Sequence, residues 1–145
     1  MKKGLFIILL VSMFFITACG SSKSEEKLLD YYVDAYTNGN LDSLKKVFHS
    51  MWLENITQEV VDNGIKDLKE QYGDDYKLTY EIISKKKIDQ DEYKDTYEMF
   101  KKENVEMTDC YSLDVILKYK GSKSSNDEEY NLYYCKFNGE WFLSF

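Results

Sequence analysis

The chain has 145 residues, of which 43% are hydrophobic and 16% aromatic, and its formal net charge is −7. This length allows a short leader and one ordinary domain, and the apolar content excludes a wholly disordered chain. All basic residues are lysines, and the chain has no arginine. This composition and the negative net charge disfavour nucleic-acid binding, which depends on a basic surface and on phosphate contacts.

The first residues have the composition of an export signal. Lys2 and Lys3 are followed by an apolar run over residues 5–16 that is interrupted only by Ser12. Twelve residues are too few for a membrane-spanning helix, which needs about 20, but suit the apolar region of a signal peptide. We therefore predict a signal peptide over residues 1–18.

The passage Ile16-Thr17-Ala18-Cys19-Gly20 resembles the lipobox of bacterial lipoproteins. The resemblance implies that cleavage leaves Cys19 as the new amino terminus and that its thiol carries a diacylglyceryl group with fatty acids such as palmitate. Two acyl chains are enough for stable membrane anchoring, whereas one chain is not. A plain secretory signal or an uncleaved anchor helix is the alternative.

Residues 19–27 are expected to form a lipidated cysteine followed by a flexible, serine-rich and charged tether. Loss of Lys2 and Lys3 lowers the formal charge from −7 to −9. This negative charge predicts that the domain, assigned to residues 28–145, does not lie flat on anionic headgroups. The protein would then sit on the extracytoplasmic face of the cell membrane.

The amino-terminal half of the domain has helical periodicity. Apolar residues at helical spacing predict a helix over residues 25–37, which Asn38-Gly39 would end in a left-handed conformation. A second helical stripe covers residues 41–52. A third helix is predicted from a Thr57 cap to Tyr72.

The periodicity then changes to two over residues 76–82, which predicts a strand with one buried face. Asp89 and Glu92 have the spacing of a capping box for a fourth helix, which carries Tyr93, Tyr97 and Phe100 and stops by Asn104. Alternation returns over residues 111–119 and predicts a second strand.

The carboxyl-terminal part is predicted to be a strand meander. Asn138-Gly139 is typical of a two-residue hairpin turn, and it would pair Phe137 with Glu140 and Tyr134 with Leu143. That register places the large apolar residues on one surface. The sequence therefore predicts an α+β domain in which amino-terminal helices pack on one face of a curved antiparallel sheet.

Two passages carry a family resemblance: Ala35-Tyr36-Thr37-Asn38-Gly39-Asn40-Leu41 and Lys136-Phe137-Asn138-Gly139-Glu140-Trp141-Phe142-Leu143. They resemble the nuclear-transport-factor-like or ketosteroid-isomerase-like cone found in bacterial lipoproteins, with a cystatin-like relative as the alternative. The resemblance implies a cone-like fold. Enzymes of this kind use an aspartate in a pocket, and no position here matches that role.

Cys110 and Cys135 lie opposite each other in the predicted register, which also pairs Leu113 with Leu132 across the turn at residues 121–124. An oxidising compartment favours a disulfide between them. Two neighbouring free thiols are the alternative. Two cysteines lack the further ligands that a zinc site needs.

The sequence presents no motif for catalysis, metal binding or a cofactor. His49 is interpreted as a half-exposed helix residue. The acidic stretches Asp74-Asp75 and 127–129 are interpreted as solvated charge without calcium-loop spacing, and Asp114 as an outward strand residue.

Seven aromatic residues are predicted to face the space between the helices and the sheet: Tyr32, Tyr36, Trp52, Tyr80, Tyr111, Tyr134 and Trp141. Such a space holds a small amphipathic ligand or is filled by core packing alone. We expect a non-enzymatic, membrane-anchored module that binds a small ligand or an envelope protein. The alternatives are a small-molecule enzyme of the cone fold and a protective module whose outer surface, including Tyr133 and Phe137, contacts another protein.

Overall fold

A computed structural model describes residues 23–144, and the signal peptide and Cys19 lie outside the described residues. Within residues 23–144, four α-helices and two short 3-10 helices accompany four strands. In chain order the elements are α1 (Glu25–Asn38), α2 (Leu41–Val47), a 3-10 helix (Ser50–Asn55), α3 (Gln58–Tyr72), β1 (Lys77–Lys87), a 3-10 helix (Gln90–Tyr93), α4 (Lys94–Lys102), β2 (Met107–Lys120), β3 (Ser125–Phe137) and β4 (Glu140–Ser144). The predicted α+β class is confirmed.

Local signals place the ends of α1 and α3 where the sequence predicts them. The Ser24 hydroxyl accepts a hydrogen bond from the Lys27 amide at 3.2 Å, and the Thr57 hydroxyl accepts one from Val60 at 3.4 Å. Gly39 follows α1 in the left-handed conformation with φ of 72°. These caps satisfy amides that have no partner inside the helix.

The predicted second helical stripe is divided into two elements. The α2 helix ends at Val47, Phe48 is extended, and a 3-10 helix begins at Ser50. Apolar spacing alone did not reveal this break, because the residues on both sides of it are buried or half-buried, although against different parts of the sheet. The break carries Trp52 away from the axis of α2.

The sheet is an antiparallel meander in the order β1-β2-β3-β4. The predicted pairs Leu113 with Leu132 and Tyr134 with Leu143 are both present. Asn138 and Gly139 form the β3–β4 turn with φ of 47° and 86°, as a type I′ turn requires. The predicted meander and its register are therefore confirmed.

The main core lies between the helices and one face of the sheet, which we call the helix face. Leu28 and Leu29 of α1 belong to the same buried cluster as Leu113 of β2 and Leu143 of β4, and each is at most 1% exposed. Tyr72 at the end of α3 stacks on Tyr119 with ring centroids 5.1 Å apart. Burial of these side chains is the main driving force for docking α1 and α3 on the sheet.

The opposite face of the sheet, which we call the cysteine face, is covered at one end. Phe100 of α4 packs on Phe137 of β3 with ring centroids 4.4 Å apart, and Phe137 is 1% exposed. The prediction that Phe137 belongs to an outer contact surface is therefore wrong, because α4 and the Ser50–Asn55 helix cover it. Tyr133, two residues earlier, remains 36% exposed.

Cys110 and Cys135 form a disulfide that links β2 to β3. The two residues are directly opposite in the strand register, and each is 1% exposed beneath the cover of the cysteine face. The predicted disulfide is confirmed. A bond of this kind is typical of proteins that fold in an oxidising compartment.

The folded domain begins before the predicted boundary at residue 28. Helix α1 starts at Glu25, and the carbonyl oxygen of Lys23 accepts a hydrogen bond from the Tyr134 hydroxyl at 2.9 Å. The ammonium nitrogen of Lys23 also lies 4.4 Å from the centroid of the Phe142 ring. The segment between Cys19 and the domain is therefore shorter than residues 19–27.

We expect the double variant Cys110→Ala/Cys135→Ala to lose about 3 kcal/mol of unfolding free energy, because the bond closes a loop with a sequence separation of 25. Urea unfolding of oxidised wild type and variant measures the difference. Wild type reduced before unfolding serves as the control, since it lacks the bond but keeps the sulfur atoms. Equal midpoints for the oxidised and reduced wild type would contradict a stabilising bond.

Candidate functional site: an apolar groove beside the helix termini

A groove of about 390 Å³ opens where the end of α1, α2, the Ser50–Asn55 helix, the start of α3 and the end of β4 meet. Its lining is mainly apolar and contains no side chain that is charged at neutral pH. The lining residues are Tyr36, Leu44, Phe48, Trp52, Asn55, Ile56, Val60 and Ser144. Its volume is within the range of small-molecule pockets.

A close approach of two helices positions Tyr36 in the groove. Gly64 lies within α3, and a Cβ atom added to it would stand 2.6 Å from Cε1 of Tyr36. A glycine in a helix interior costs about 1 kcal/mol relative to alanine. Here its missing side chain provides the space in which the Tyr36 ring lies, which explains an otherwise unfavourable residue in α3.

Trp52 reaches the groove because the chain leaves α2 before the Ser50–Asn55 helix begins. The indole ring also packs edge-on against Phe100, with centroids 5.3 Å apart. The same side chain therefore joins the groove wall to the buried cluster on the cysteine face. Movement of this wall would disturb the packing beneath it.

The groove is lined by few side chains that could act in catalysis. Burial raises the pKa of the Tyr36 hydroxyl above its ordinary value, so this group remains protonated and serves as a hydrogen-bond donor or acceptor. The polar side chains of Asn55 and Ser144 also line the groove. The arrangement suits recognition of an apolar body with a small polar end, and no nucleophile and base are paired within this lining.

The predicted aromatic set does not form one pocket. Tyr36 and Trp52 line the groove, but the other five residues lie along the helix face of the sheet and take part in core packing there. These five residues are Tyr32, Tyr80, Tyr111, Tyr134 and Trp141. The sequence pattern identifies aromatic residues that face inward and does not show which of them border open space.

Tyr134 organises a separate cluster at the start of α1. Its ring stacks on Trp141 with centroids 4.3 Å apart, while the Lys85 ammonium lies 4.9 Å from the Tyr134 centroid and 4.7 Å from that of Tyr111. Lys85 also forms a 2.7 Å ion pair with Glu25. This aromatic cluster already surrounds a cation of the chain and ties β1 to α1.

Tyr32 and Tyr80 also hold α1 in place. The Tyr80 hydroxyl donates to the Glu26 carbonyl oxygen at 3.0 Å and to Oδ1 of Asp30 at 2.9 Å. The Tyr32 ring lies 4.9 Å from that of Tyr36. Burial raises the pKa of both Tyr32 and Tyr80, so both hydroxyls stay protonated at neutral pH.

Two of the acidic residues singled out in the sequence, Asp75 and Asp114, have structural partners. Asp75 accepts hydrogen bonds from the amide and hydroxyl of Ser122 at 2.9 and 2.6 Å. Asp114 is exposed and accepts hydrogen bonds from Ser84 and Asn131, which lower its pKa. Within residues 23–144 there is no cluster of three or more side chains that could hold a metal ion.

Glu128 differs from the prediction of solvated charge, because it lies on the helix face of β3 and is half-buried. Its carboxylate accepts a hydrogen bond from the Tyr130 hydroxyl and another, at 3.0 Å, from the side-chain amide of Asn126. The tyrosine partner fixes this carboxylate at the edge of the main core. Alternation in the strand places residue 128 inward, a signal that the run of three acidic residues obscured.

His49 is buried rather than half-exposed, with 8% of its surface accessible. The ring packs within 5.3 to 5.6 Å of the rings of Phe100, Phe137 and Phe142, measured between centroids. Its Nδ1 accepts the Met51 amide at 3.3 Å and caps the Ser50–Asn55 helix. Burial lowers the pKa of His49, and the nearby Glu140 carboxylate opposes this effect only in part.

No family model, curated protein sequence or solved structure matches this chain. Among residues 23–144 there is also no helix long and apolar enough to cross a membrane.

We expect His49 to make stability depend on pH. Because its pKa in the folded state is below the unfolded value of about 6.5, the unfolded chain takes up the proton first. The stability that neutral His49 provides is complete above about pH 6.5 and is lost as the pH falls towards the folded-state pKa.

The variant His49→Asn keeps a capping side chain but has no titrating ring. Urea unfolding between pH 7.5 and 5 should show a smaller loss of unfolding free energy for the variant than for wild type, even if the variant is less stable throughout. If the unfolding free energies of the two proteins fall equally with pH, His49 is not the source of the pH dependence.

Proposed function

We propose that the protein is an extracytoplasmic lipoprotein, anchored to the bacterial cell membrane through Cys19, whose domain binds a small amphipathic ligand in the groove. The observation that carries the anchor is the lipobox-like passage, whose Cys19 stands four residues before Lys23. Lys23 is already held by the Tyr134 hydroxyl, so cleavage before Cys19 would release a complete domain.

The disulfide supports export. The cytosol keeps most thiols reduced, whereas Cys110 and Cys135 are bonded in this fold. The pair is buried beneath the α4 side of the domain, which is typical of a structural bond and not of a redox-active one. This support for export is independent of the leader, because both cysteines lie inside the domain.

The groove supports a binding role without catalysis. Its lining combines an apolar floor with the polar groups of Tyr36, Asn55 and Ser144, and such a combination orients an amphipathic molecule. The resemblance to the nuclear-transport-factor-like or ketosteroid-isomerase-like cone is part of the proposal. Fold alone does not define a reaction.

We expect Cys19→Ala to abolish processing of the precursor, because lipidation of the thiol precedes cleavage in lipoproteins. Metabolic labelling with palmitate followed by membrane fractionation measures both steps. Wild type should incorporate label and remain with the membrane after a high-salt wash, and treatment with globomycin should mimic the variant. Normal processing and retention of Cys19→Ala would overturn the anchor.

The variant Val60→Glu tests the groove, because Val60 lines it, is 43% exposed and lies in the first turn of α3, where a glutamate is compatible with folding. We expect binding of the neutral apolar probe N-phenyl-1-naphthylamine to weaken about tenfold, since the charge would have to be desolvated on binding.

The matched control is Ile83→Glu, which introduces the same charge at a 54% exposed apolar residue away from the groove. Native mass spectrometry of protein extracted gently from its host membrane should show a smaller fraction of ligand-bound protein for Val60→Glu than for wild type and Ile83→Glu. Equal probe affinity for both variants would exclude the groove as the binding site.

A further inference from the structure

Four lysines gather at the end of the domain where Cys19 connects to it. Lys23 precedes α1, Lys27 is in its first turn, and Lys45 and Lys46 form the last turn of α2. The Lys23 ammonium donates to the Lys46 carbonyl oxygen at 3.4 Å, so the start of α1 and the end of α2 are adjacent. We call these four residues the lysine patch.

An aromatic ring lies within the lysine patch. The ammonium groups of Lys27 and Lys46 are 5.0 and 5.1 Å from the centroid of the half-buried Tyr31 ring, which they approach from α1 and α2. Such a combination of cations and a tyrosine is suited to a membrane interface, because the tyrosine ring can contact apolar groups while its hydroxyl and the ammonium groups stay in water.

The carboxylates nearby offset the lysine patch only in part. Glu140 forms a 3.8 Å ion pair with Lys23, and Lys46 is close enough to Asp34 to help lower the pKa of that carboxyl group. Glu25 is paired with Lys85 on β1 at 2.7 Å instead. Among the described residues, Lys27 and Lys46 form no ion pair within 4.0 Å.

We propose that the lysine patch docks on anionic phospholipid headgroups and thereby orients the domain on the membrane, an inference that rests on the proposed lipid anchor. The chain from Cys19 to Lys23 spans at most about 14 Å at full extension. The anchor therefore brings the lysine patch close to the headgroups.

Local charge outweighs net charge in this geometry. The surface potential of an anionic leaflet decays over a Debye length of about 8 Å at physiological ionic strength. The formal charge of −9 expected for the mature chain is spread over the whole domain, so much of it lies beyond that range. The proposal therefore departs, for this end of the domain, from the expectation that an acidic body avoids anionic headgroups.

The groove and the lysine patch meet along α2. Leu44 and Phe48 line the groove, and Lys45 and Lys46 lie between them in the chain. Only the Tyr36 wall of the groove, in the last turn of α1, is far from Lys27, because a helix of 14 residues is about 21 Å long. Docking would therefore leave the Tyr36 end of the groove farthest from the membrane.

Lysine footprinting of the mature lipidated protein in vesicles tests the orientation. Vesicles of phosphatidylcholine alone are compared with vesicles that contain 30% phosphatidylglycerol, and acetylation by acetic anhydride is read by mass spectrometry. Labelling of Lys27 and Lys46 should fall about fivefold on the anionic vesicles and recover in high salt. Lys66 on α3, which is 72% exposed, should label equally on both.

The variant Lys27→Gln/Lys46→Gln supplies the second measurement, and Lys66→Gln/Lys69→Gln on α3 is its matched control. All three proteins carry a dye at Asn63→Cys, and energy transfer from this dye to labelled headgroups is measured. The transfer efficiency of Lys27→Gln/Lys46→Gln should differ from that of the protein with both lysine pairs intact, whereas that of Lys66→Gln/Lys69→Gln should not. Equal lysine labelling on neutral and anionic vesicles would overturn the docking while leaving the anchor intact. Failure of wild type to float with either vesicle would instead overturn the anchor.

Discussion

The pairing of β2 with β3 controls the arrangement of almost every other element. Its register places Leu113 opposite Leu132 on the helix face and Cys110 opposite Cys135 on the other. A shift by one residue would move the buried side chains of a strand to the wrong face. The disulfide prevents such a shift covalently, and the helices can then dock on a sheet whose two faces differ in chemistry.

The two faces give the domain two cores with different roles. The helix-face core holds α1, and the hydroxyls of Tyr134 and Tyr80 fasten the start of this helix to the sheet. The smaller core on the cysteine face holds His49 and Phe100. Trp52 contacts this second core and also lines the groove, so packing around the disulfide supports the candidate binding surface.

Helix α2 takes part in both proposed surfaces. Leu44 lines the groove, and Lys45 and Lys46 in the next positions belong to the lysine patch. The apolar side chain is buried, whereas Lys46 is exposed. The two proposed activities are therefore divided between the faces of this short helix, and only the Tyr36 end of the groove lies a full helix length from Lys27.

Sequence alone determined the features that depend on local spacing: the caps of α1 and α3, the hairpin at Asn138-Gly139, the strand register and the partner of Cys110. Tertiary structure decided the break after α2, the burial of His49 and the separation of Trp52 from Tyr134. The physical reason is that periodicity shows which side of an element is apolar, whereas the surface that covers it belongs to distant residues. The groove and the lysine patch arise in the same way, because each joins residues from several elements that no local pattern relates.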